Sequence, residues 1–404
     1  MTLRLSFLAI GSELLSGHVL ESNSHWLQKQ LKDTSVECVL SMTVLDRKDS
    51  ILKALALLSK ESDLVIVCGG LGPTDDDITR EILAEFNREE LVFDDIAWGQ
   101  VKSFFAKKNK PIYESNRKQA MRPASSKNLE NVLGSAPALS MLIDKIEYFA
   151  FPGVPREFKY CAETYVLPKF KKEASPIQFK LFGIGESQLM DRVKEEAIFP
   201  EQFEWGTIAA LDGITVKFSS DSERDVRFSE VISKFESVFE RYIYTKSNLD
   251  PVGVLGQELS NKKMMIATAE SCTGGLLMAK LTEIPGSSAY AKGTTVAYQN
   301  EIKRNELKVS QKILDEQGAV SEACAISLAR GVMQQMNSDL GIGITGIAGP
   351  GGGTKDKPVG TVWIASVCSN GREKVECFLF TGTRSDIRER SCYSACIQAL
   401  SLLK

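Results

Sequence analysis

The chain has 404 residues, of which 43% are hydrophobic and 25% charged, with a formal net charge of −3. This length and composition predict a globular protein of two or three domains, and the lack of a basic excess argues against a nucleic-acid partner. No apolar run approaches the roughly 20 residues of a membrane-spanning helix. Nine cysteines without a Cys-x-x-Cys pair predict free thiols in a reducing, cytoplasmic compartment.

The first 170 residues alternate between predicted strands and helices. "LRLSFLAI" is predicted as a first strand rather than a secretion signal, because Gly11, Ser12 and Glu13 interrupt the apolar stretch. Further strands are predicted at "SVECVLSMTVL" and "DLVIVCGG", and helices at "SNSHWLQKQLKD", "RKDSILKALALLSKES" and "DDITREILAEFN", the last with acidic residues in its first turn. This alternation predicts a doubly wound parallel sheet, in which ligands bind beyond the carboxyl ends of the strands.

The rest of the chain predicts two smaller domains. From 171 to 250 the order β-α-β-β-α-β predicts a small α+β domain, which we interpret as a spacer or dimerisation domain. The segment 247–256, "SNLDPVGVLG", is interpreted as a linker. Strands beginning with "KKMMIATAE" and intervening helices then predict a third domain of the α/β class. The predicted domains are therefore 1–170, 171–250 and 255–404.

A glycine-rich segment, "GGLGPTDDD" (69–77), follows one predicted strand of the first domain. Glycines at this place allow backbone N–H groups to approach an anion such as phosphate. Three carboxylates beside such a loop indicate a divalent cation, which prefers oxygen ligands, and Asp46 at the end of another strand could add one more. The alternative is that Asp75–Asp77 only cap the following helix.

The segment "AESCTGG" (269–275) places three hydroxyl or thiol side chains in front of two glycines. On local sequence alone, Ser271 or Thr273 could simply cap the next helix. A nucleophile here needs a base other than imidazole, because the chain has only two histidines, His18 and His25, both near the N-terminus. Cys272 leaves a cysteine–lysine amidase open as an alternative, since a thiol at a helix N-terminus can have a lowered pKa.

The segment "AYQNEIK" offers such a base. Tyr298 is predicted at a strand end and Lys303 in the first turn of the next helix, so that both side chains could face one pocket. A lysine with a lowered pKa can accept the proton of a serine, and a tyrosine can relay it. The glycine-rich "ITGIAGPGGGTKDKPVG" could supply backbone amides for an oxyanion or a phosphate.

These motifs together resemble the CinA (competence/damage-inducible) family over nearly the whole chain. The N-terminal half carries "IGSELLSGHVLESN", "GGLGPTDDDIT", "NRKQAMRP", "NVLGSAPA" and "FPGVPREF", and the C-terminal half "AESCTGG", "GAVSE", "TGIAGPGGGT" and "KPVGTV". The resemblance implies an N-terminal domain of the MogA/MoaB molybdopterin-binding fold with metal-dependent ADP-ribose pyrophosphatase activity, and a PncC-type nicotinamide mononucleotide deamidase domain. Cys68, Ala138 and Gln317 depart from the usual threonine, glycine and histidine.

The resemblance also implies roles for individual residues. In the N-terminal domain it implies a phosphate site made by Gly69, Gly70, Gly72 and Thr74. It implies that Asp46, Asp76 and Asp77 hold Co²⁺, Mg²⁺ or Mn²⁺. In the C-terminal domain, which needs no cofactor, it implies Ser271 as nucleophile, Lys303 as base and Tyr298 as proton relay. The implied oxyanion and substrate-binding residues are Glu270, Cys272, Thr273, Gly274, Thr345, Gly346, Gly349 and Arg384, with Lys355 and Arg388 as further candidates for the substrate phosphate.

The function implied is that of a cytoplasmic bifunctional enzyme that recycles fragments of pyridine nucleotides. Its partners would be the small molecules nicotinamide mononucleotide and ADP-ribose, with no nucleic acid or membrane, and the resemblance implies a homodimer. Two alternatives stay open. The N-terminal fold could bind a molybdopterin or nucleotide without hydrolysing it, or the chain could be a regulatory protein linked to competence.

Overall fold

The structure, a computed structural model, describes residues 3–32, 34–171, 177–200, 203–218 and 228–403. The chain divides into two compact units, Met1–Ser175 and Pro176–Lys404. Within the described ranges, no helix is both long and apolar enough to cross a bilayer.

Six strands of the first unit form one sheet, and two more form a small ladder. The strands are β1 (Leu3–Ile10), β2 (Val36–Val44), β3 (Leu64–Cys68), β4 (Leu91–Phe93), β5 (Met121–Pro123), β6 (Lys127–Leu129), β7 (Ala138–Ile143) and β8 (Ile146–Phe151). The main sheet has the order β2-β1-β3-β8-β7-β6, and β4 pairs with β5. Strands β2, β1, β3 and β8 are parallel, whereas β7 and β6 are antiparallel to their neighbours. The prediction of a mainly parallel sheet is confirmed.

Helices cover both faces of this sheet, as a doubly wound fold requires. They are α1 (Ser12–Leu15), α2 (Asn23–Leu31), α3 (Lys48–Glu61), α4 (Thr79–Phe86), α5 (Asp95–Lys107) and α6 (Pro155–Tyr165), with short 3₁₀ helices at Glu114–Ala120 and Leu167–Lys169. Helices α3 and α4 pack on one face, and α2 and α6 on the other. Strand β3 is buried along its whole length, as its wholly apolar sequence predicted.

The second unit begins with a four-stranded sheet of the predicted β-α-β-β-α-β order. Its elements are β9 (Gln178–Leu181), α7 (Glu186–Glu195), β10 (Trp205–Ala210), β11 (Gly213–Phe218), α8 (Phe228–Phe239) and β12 (Ile243–Thr245). The sheet order is β10-β11-β9-β12, and every pair is antiparallel. Phenylalanine rings from β9, β11 and α8 fill its core.

A five-stranded sheet follows in the same unit. Its strands are β13 (Ile266–Glu270), β14 (Ala291–Val296), β15 (Leu340–Gly346), β16 (Thr361–Cys368) and β17 (Glu373–Leu379). Its helices are α9 (Pro251–Lys262), α10 (Leu276–Thr282), α11 (Asn300–Leu307), α12 (Gln311–Glu316), α13 (Glu322–Met336) and α14 (Arg384–Leu403), with a 3₁₀ turn at Ser287–Ala289. The order is β14-β13-β15-β16-β17, with β14, β13 and β15 parallel. Helix α13 packs on one face, and α9 and α14 on the other.

The predicted linker at 247–256 is wrong, because helix α9 begins at Pro251. The Asp250 carboxylate caps this helix by accepting the N–H of Gly253 at 2.8 Å. Proline fits the first turn, where its missing N–H would have no helical partner in any case. Lys263, with a left-handed φ of 54°, ends α9, and the strand predicted from "KKMMIATAE" starts only at Ile266.

Candidate active sites

The carboxyl ends of β1, β2, β3 and β8 surround a cavity of about 460 Å³ in the first unit. Its walls come from the segments that follow those four strands, including Glu13, Asp46, the glycine-rich segment 69–72 and the segment 152–155. This is the place where a parallel α/β sheet binds its ligands.

The glycine-rich segment 69–72 turns sharply after β3. Gly69 and Gly70 have φ values of 108° and 66°, and a Cβ on Gly69 would lie 2.3 Å from the carbonyl oxygen of Ile10. The Gly69 N–H donates to the Phe151 carbonyl oxygen at 2.9 Å and is therefore occupied. Within the described part of the chain, the N–H groups of Gly70, Leu71 and Gly72 donate to nothing, so these three amides are free to bind an anion.

Thr74, Asp76 and Asp77 form one hydrogen-bonded group at the end of this segment. The Thr74 hydroxyl lies 2.5 Å from an oxygen of each carboxylate, and the Thr74 N–H donates to Asp77 at 2.9 Å. The Thr74 hydrogen bond lowers the pKa of Asp76 below the usual carboxyl value. Thr74, predicted to bind phosphate, therefore orients the two carboxylates.

The acidic residues do not belong to helix α4. That helix starts at Thr79, after Ile78 at the N-cap, which forms no side-chain cap. The predicted helix start within "DDIT" and the alternative that Asp75–Asp77 cap the helix are both wrong, because Asp77 instead closes the turn that begins at Thr74.

The cavity walls are acidic. Asp46 accepts the N–H of Ser12 at 2.6 Å and lines the same cavity as Asp76 and Asp77. The carboxylates that line it are Glu13, Glu21, Asp46, Asp76, Asp77 and Glu157, whereas none of the described lysines and arginines does so. Among the described residues, no three His, Cys, Asp or Glu side chains are grouped closely enough to enclose a metal by themselves. The donor set fits Mg²⁺, which is usually held by one or two carboxylates together with substrate phosphates and water.

Arg80 is a structural residue of this site that sequence reasoning missed. It is only 3% exposed and donates to the carbonyl oxygens of Leu71 at 2.6 Å and Pro137 at 2.9 Å. Burial lowers its pKa to about 10. The side chain thus fixes the glycine-rich segment against the loop before β7. Carbonyl acceptors have no sequence signature, so this role could not be foreseen.

In the second unit, Ser271 lies directly beyond the carboxyl end of β13. Its N–H donates to the Ile344 carbonyl oxygen at 2.9 Å, which extends the pairing of β13 with β15. Gly274 and Gly275, with φ values of 62° and 92°, turn the chain into helix α10. Ser271 is 8% exposed, so it is buried rather than on the surface.

Helix α11 brings Lys303 to this serine. Lys303 Nζ lies 3.2 Å from Ser271 Oγ and donates to the carbonyl oxygens of Ala297 at 2.8 Å and Tyr298 at 3.0 Å. Lys303 is 1% exposed, and burial lowers its pKa below the usual lysine value. The Ser–Lys pair predicted from sequence is thus brought into hydrogen-bonding distance.

Tyr298 does not lie where a proton relay between Ser271 and Lys303 was predicted. Its side chain is exposed, and its hydroxyl lies 3.4 Å from Nη2 of Arg384. Among the hydrogen bonds of the described residues, none joins this hydroxyl to Ser271 or Lys303. Arg384 also donates to the Gly349 carbonyl oxygen at 2.7 Å. The structure therefore places Tyr298, Arg384 and the glycine-rich loop together.

Glu270, rather than Ser271 or Thr273, caps helix α10, so the local alternative for "AESCTGG" is wrong. Its buried carboxylate accepts the N–H groups of Leu277 and Met278 at 3.1 and 3.0 Å and the Thr268 hydroxyl at 3.0 Å. Both oxygens of this residue, predicted to help bind substrate or oxyanion, are engaged with the protein.

Cys272 and Thr273 complete the turn after the serine. Burial raises the pKa of the Cys272 thiol to about 12 and keeps it protonated. Within the described chain, no oxygen accepts the N–H of either residue, and both amides interact with the Cys272 sulfur. The Thr273 carbonyl oxygen accepts from Nε and Nη2 of Arg388 at 3.2 and 2.6 Å. Arg388, a candidate phosphate ligand, thus braces the turn that follows Ser271.

The remaining predicted residues lie at the end of β15 and in the loop after it. The Thr345 hydroxyl donates to the Ala319 carbonyl oxygen at 2.7 Å, and Gly346 ends the strand. Lys357 donates to the carbonyl oxygens of Gln317 at 2.8 Å and Val320 at 2.7 Å. Lys357, which sequence reasoning did not single out, therefore ties the glycine-rich loop to "GAVSE". Lys355 is exposed.

Comparisons with known proteins match both halves of the chain. Residues 251–403 match the family model described as the CinA C-terminal domain, and residues 6–172 the one described as a probable molybdopterin binding domain. A CinA-like protein of Dictyoglomus thermophilum is 37% identical over 373 residues, 90% of each chain. A putative competence-damage inducible protein of Halothermothrix orenii is 36% identical over 397 residues, 96% of each chain. The crystal structure of the competence/damage inducible protein CihA from Agrobacterium tumefaciens matches with 34% sequence identity and a TM-score of 0.37. The match covers 40% of this chain and 100% of the CihA chain.

Proposed function

Because this chain belongs to the CinA family, we propose that it is a bifunctional hydrolase acting on fragments of pyridine nucleotides. Its C-terminal site converts nicotinamide mononucleotide to nicotinate mononucleotide and ammonia, and its N-terminal site splits ADP-ribose into AMP and ribose 5-phosphate. The observation that carries the proposal is the buried Lys303 amine 3.2 Å from Ser271 Oγ.

Deamidation starts at the serine. Ser271 Oγ attacks the carboxamide carbon while Lys303 takes the hydroxyl proton, which gives a tetrahedral oxyanion. The amides of Cys272, Thr273 and Gly346 hold this oxyanion, and one such donor is worth about 3 kcal/mol. Lys303 returns the proton as the C–N bond breaks and ammonia leaves. Water then hydrolyses the ester, again with Lys303 as base, and regenerates Ser271.

The surroundings of Lys303 support its role as the base. Burial disfavours its charged form and so increases the fraction of neutral amine at a given pH. The Ala297 and Tyr298 carbonyl oxygens fix the amine in place. Arg384, whose Nη2 lies 3.4 Å from the Tyr298 hydroxyl, provides a cation for the phosphate of the mononucleotide.

The N-terminal cavity is suited to a pyrophosphate only together with a cation. The free amides of Gly70 and Gly72 can bind phosphate oxygens, but the carboxylate lining would repel them. Asp76 and Asp77 would hold Co²⁺, Mg²⁺ or Mn²⁺ together with phosphate oxygens and water, and Asp46 lines the same cavity. When bound, such a cation neutralises phosphate charge and lowers the pKa of the attacking water.

The deamidase proposal is tested with Ser271→Ala and Cys272→Ala in the full chain. Incubation with nicotinamide mononucleotide should release ammonia from the wild type and from Cys272→Ala. Ammonia release should be at least about a thousandfold slower in Ser271→Ala, because that variant lacks the nucleophile. Loss of activity in Cys272→Ala with full activity in Ser271→Ala would assign the attack to the thiol.

The pyrophosphatase proposal is tested with Asp76→Ala and, as matched control, Asp75→Ala. Asp75 is exposed and does not line the cavity. With ADP-ribose and a divalent metal, we expect AMP from the wild type and from Asp75→Ala, and none from Asp76→Ala. Equal rates in the two variants would remove Asp76 from the site.

The match of residues 6–172 to a probable molybdopterin binding domain favours a second candidate for the first unit. In that case the cavity binds a pterin or nucleotide without cleaving it. Calorimetric titration with ADP-ribose in the presence of metal, combined with an assay for AMP, separates the two. Binding without AMP release supports the binding module.

A further inference from the structure

Tyr298 presents an exposed aromatic ring beside the Ser271–Lys303 pair. The side chain is 56% exposed. Within the described part of the chain, neither another aromatic ring nor a lysine or arginine packs against the face of this ring. Its hydroxyl lies 3.4 Å from Arg384 Nη2, a distance that is long for a hydrogen bond. The face of the ring is therefore open to a substrate.

The position of Tyr298 follows the order of the groups in nicotinamide mononucleotide. Its backbone carbonyl oxygen accepts from Lys303 Nζ at 3.0 Å, and that amine lies 3.2 Å from Ser271 Oγ. The hydroxyl at the other end of the residue lies beside Arg384. The mononucleotide carries its carboxamide at one end and its phosphate at the other, with the pyridinium ring next to the carboxamide. A carboxamide at Ser271 and a phosphate at Arg384 place this ring along the Tyr298 side chain.

The pyridinium ring carries a positive charge that the site has to accommodate. Glu270 is the acidic residue next to Ser271 in sequence, but both of its carboxylate oxygens accept hydrogen bonds from the protein, two of them from N–H groups of helix α10. The face of a tyrosine ring attracts a cation through its quadrupole. It does so without bringing a second negative charge near the phosphate of the substrate.

We propose that the face of the Tyr298 ring binds the pyridinium ring of the substrate, so that Tyr298 acts as a specificity residue and not as a proton relay. This inference rests on the proposed deamidase function. It implies that the site selects pyridinium carboxamides, which are cationic, over mononucleotides whose ring is neutral. The role requires an aromatic ring at this position but no hydroxyl group, whereas a relay requires the hydroxyl.

The first test is Tyr298→Phe in the full chain, which keeps the aromatic face and removes the hydroxyl. We expect KM for nicotinamide mononucleotide to rise by about two- to threefold, because the long contact with Arg384 is lost, and kcat to change less than KM. General acid–base groups contribute about a hundredfold or more to the rate. A fall in kcat of that size at unchanged KM would establish the relay and overturn the proposal.

The second test measures binding in a Ser271→Ala background, in which the ligands are not hydrolysed. Calorimetric titration compares nicotinamide mononucleotide with its reduced dihydropyridine form, which has the same carboxamide, ribose and phosphate but a neutral ring. Adding Tyr298→Leu should raise Kd for the cationic ligand by about five- to thirtyfold and for the neutral one by less than about twofold. Tyr113→Leu, the same substitution at a tyrosine of the first unit that is 65% exposed, is the matched control and should change neither Kd.

The results separate a failure of this inference from a failure of the proposed function. If Tyr298→Leu weakens both ligands equally or neither of them while the wild type releases ammonia from nicotinamide mononucleotide, the specificity role is overturned and the deamidase function stands. If the wild type neither binds nor deamidates nicotinamide mononucleotide, both are overturned. Circular dichroism of Tyr298→Leu checks the fold, which an exposed side chain should not disturb.

Discussion

At the scale of single residues, burial determines both the hydrogen bonds and the pKa of the Lys303 amine. It is 1% exposed, forms no ion pair with a described carboxylate, and bonds to two carbonyl oxygens and Ser271 Oγ. Burial penalises its charge, and this lowers its pKa. Burial therefore favours the neutral amine, which is the form that the proposed mechanism requires.

The pH dependence of deamidation should report this lysine. The base must be neutral, so kcat/KM for nicotinamide mononucleotide is expected to rise with pH through the pKa of Lys303 and then level off. Because that pKa is lowered, the plateau should begin below the usual lysine range. Lys303→Arg should be inactive at every pH, since a guanidinium does not deprotonate. A pH-independent rate, or activity in Lys303→Arg, would contradict this role.

Only part of the two candidate sites was predictable residue by residue. The serine, lysine and glycine motifs of "AESCTGG" and "AYQNEIK" were visible because their chemistry resides in side chains. The contacts of Arg80, Arg388 and Lys357 are to backbone carbonyl oxygens from distant parts of the chain. Every residue carries such an oxygen, so only the tertiary structure shows which one is used.

At the scale of elements, the hydrophobic pattern predicted most strands and helices, and the errors have a physical cause. Helix α9 was taken for a linker because Pro251, Gly253 and Gly256 lie within six residues. Pro251 stands in the first turn, where it is tolerated. Gly256 lets the helix pack closely, since a Cβ there would lie 2.8 Å from the Tyr290 hydroxyl. Packing thus overrides a local composition typical of loops.

Two arginines of helix α14, Arg384 and Arg388, lie one turn apart. Replacing each by alanine should change different kinetic constants. Arg388 holds the Thr273 carbonyl oxygen, so Arg388→Ala should misplace the oxyanion amides and lower kcat for nicotinamide mononucleotide by about 10- to 100-fold. Arg384 is exposed beside Tyr298, so Arg384→Ala should mainly raise KM by weakening phosphate binding. Steady-state kinetics of both variants separate the effects. A change confined to KM in Arg388→Ala would refute the bracing role.

Helix α10 depends on the Glu270 carboxylate at its N-terminus. Glu270→Gln replaces one acceptor oxygen with an NH₂ group that faces the helix N–H groups, at an expected cost of about 2 kcal/mol. The control is Glu283→Gln, the same substitution at an exposed site beyond the C-terminal end of α10. Thermal unfolding should shift downward in Glu270→Gln only. Equal unfolding temperatures in the two variants would show that the cap contributes little.

At the scale of the whole molecule, the two sites belong to separate compact units with separate cores. Strand–helix alternation was enough to predict the doubly wound sheet of the first unit and the α/β class of the last 150 residues. The order of the strands in each sheet and the antiparallel pairing of β16 and β17 were not predictable, because long-range pairing leaves only a weak trace in local sequence. The acidic lining of the first cavity likewise results from four segments that are distant in sequence.

The two proposed reactions differ in their need for a metal ion. This predicts that either reaction can be stopped without the other in one preparation. The N-terminal site needs a cation to bring a pyrophosphate among carboxylates, whereas the Ser271–Lys303 pair activates its nucleophile with a side-chain amine. A chelator should therefore stop AMP release from ADP-ribose and leave ammonia release from nicotinamide mononucleotide unchanged. Asp76→Ala should stop AMP release only, as the chelator does. Ser271→Ala should stop ammonia release only. If the chelator stopped both reactions while Asp76→Ala stopped only the first, the deamidase site would itself require a metal, and the lysine-based mechanism would have to be abandoned.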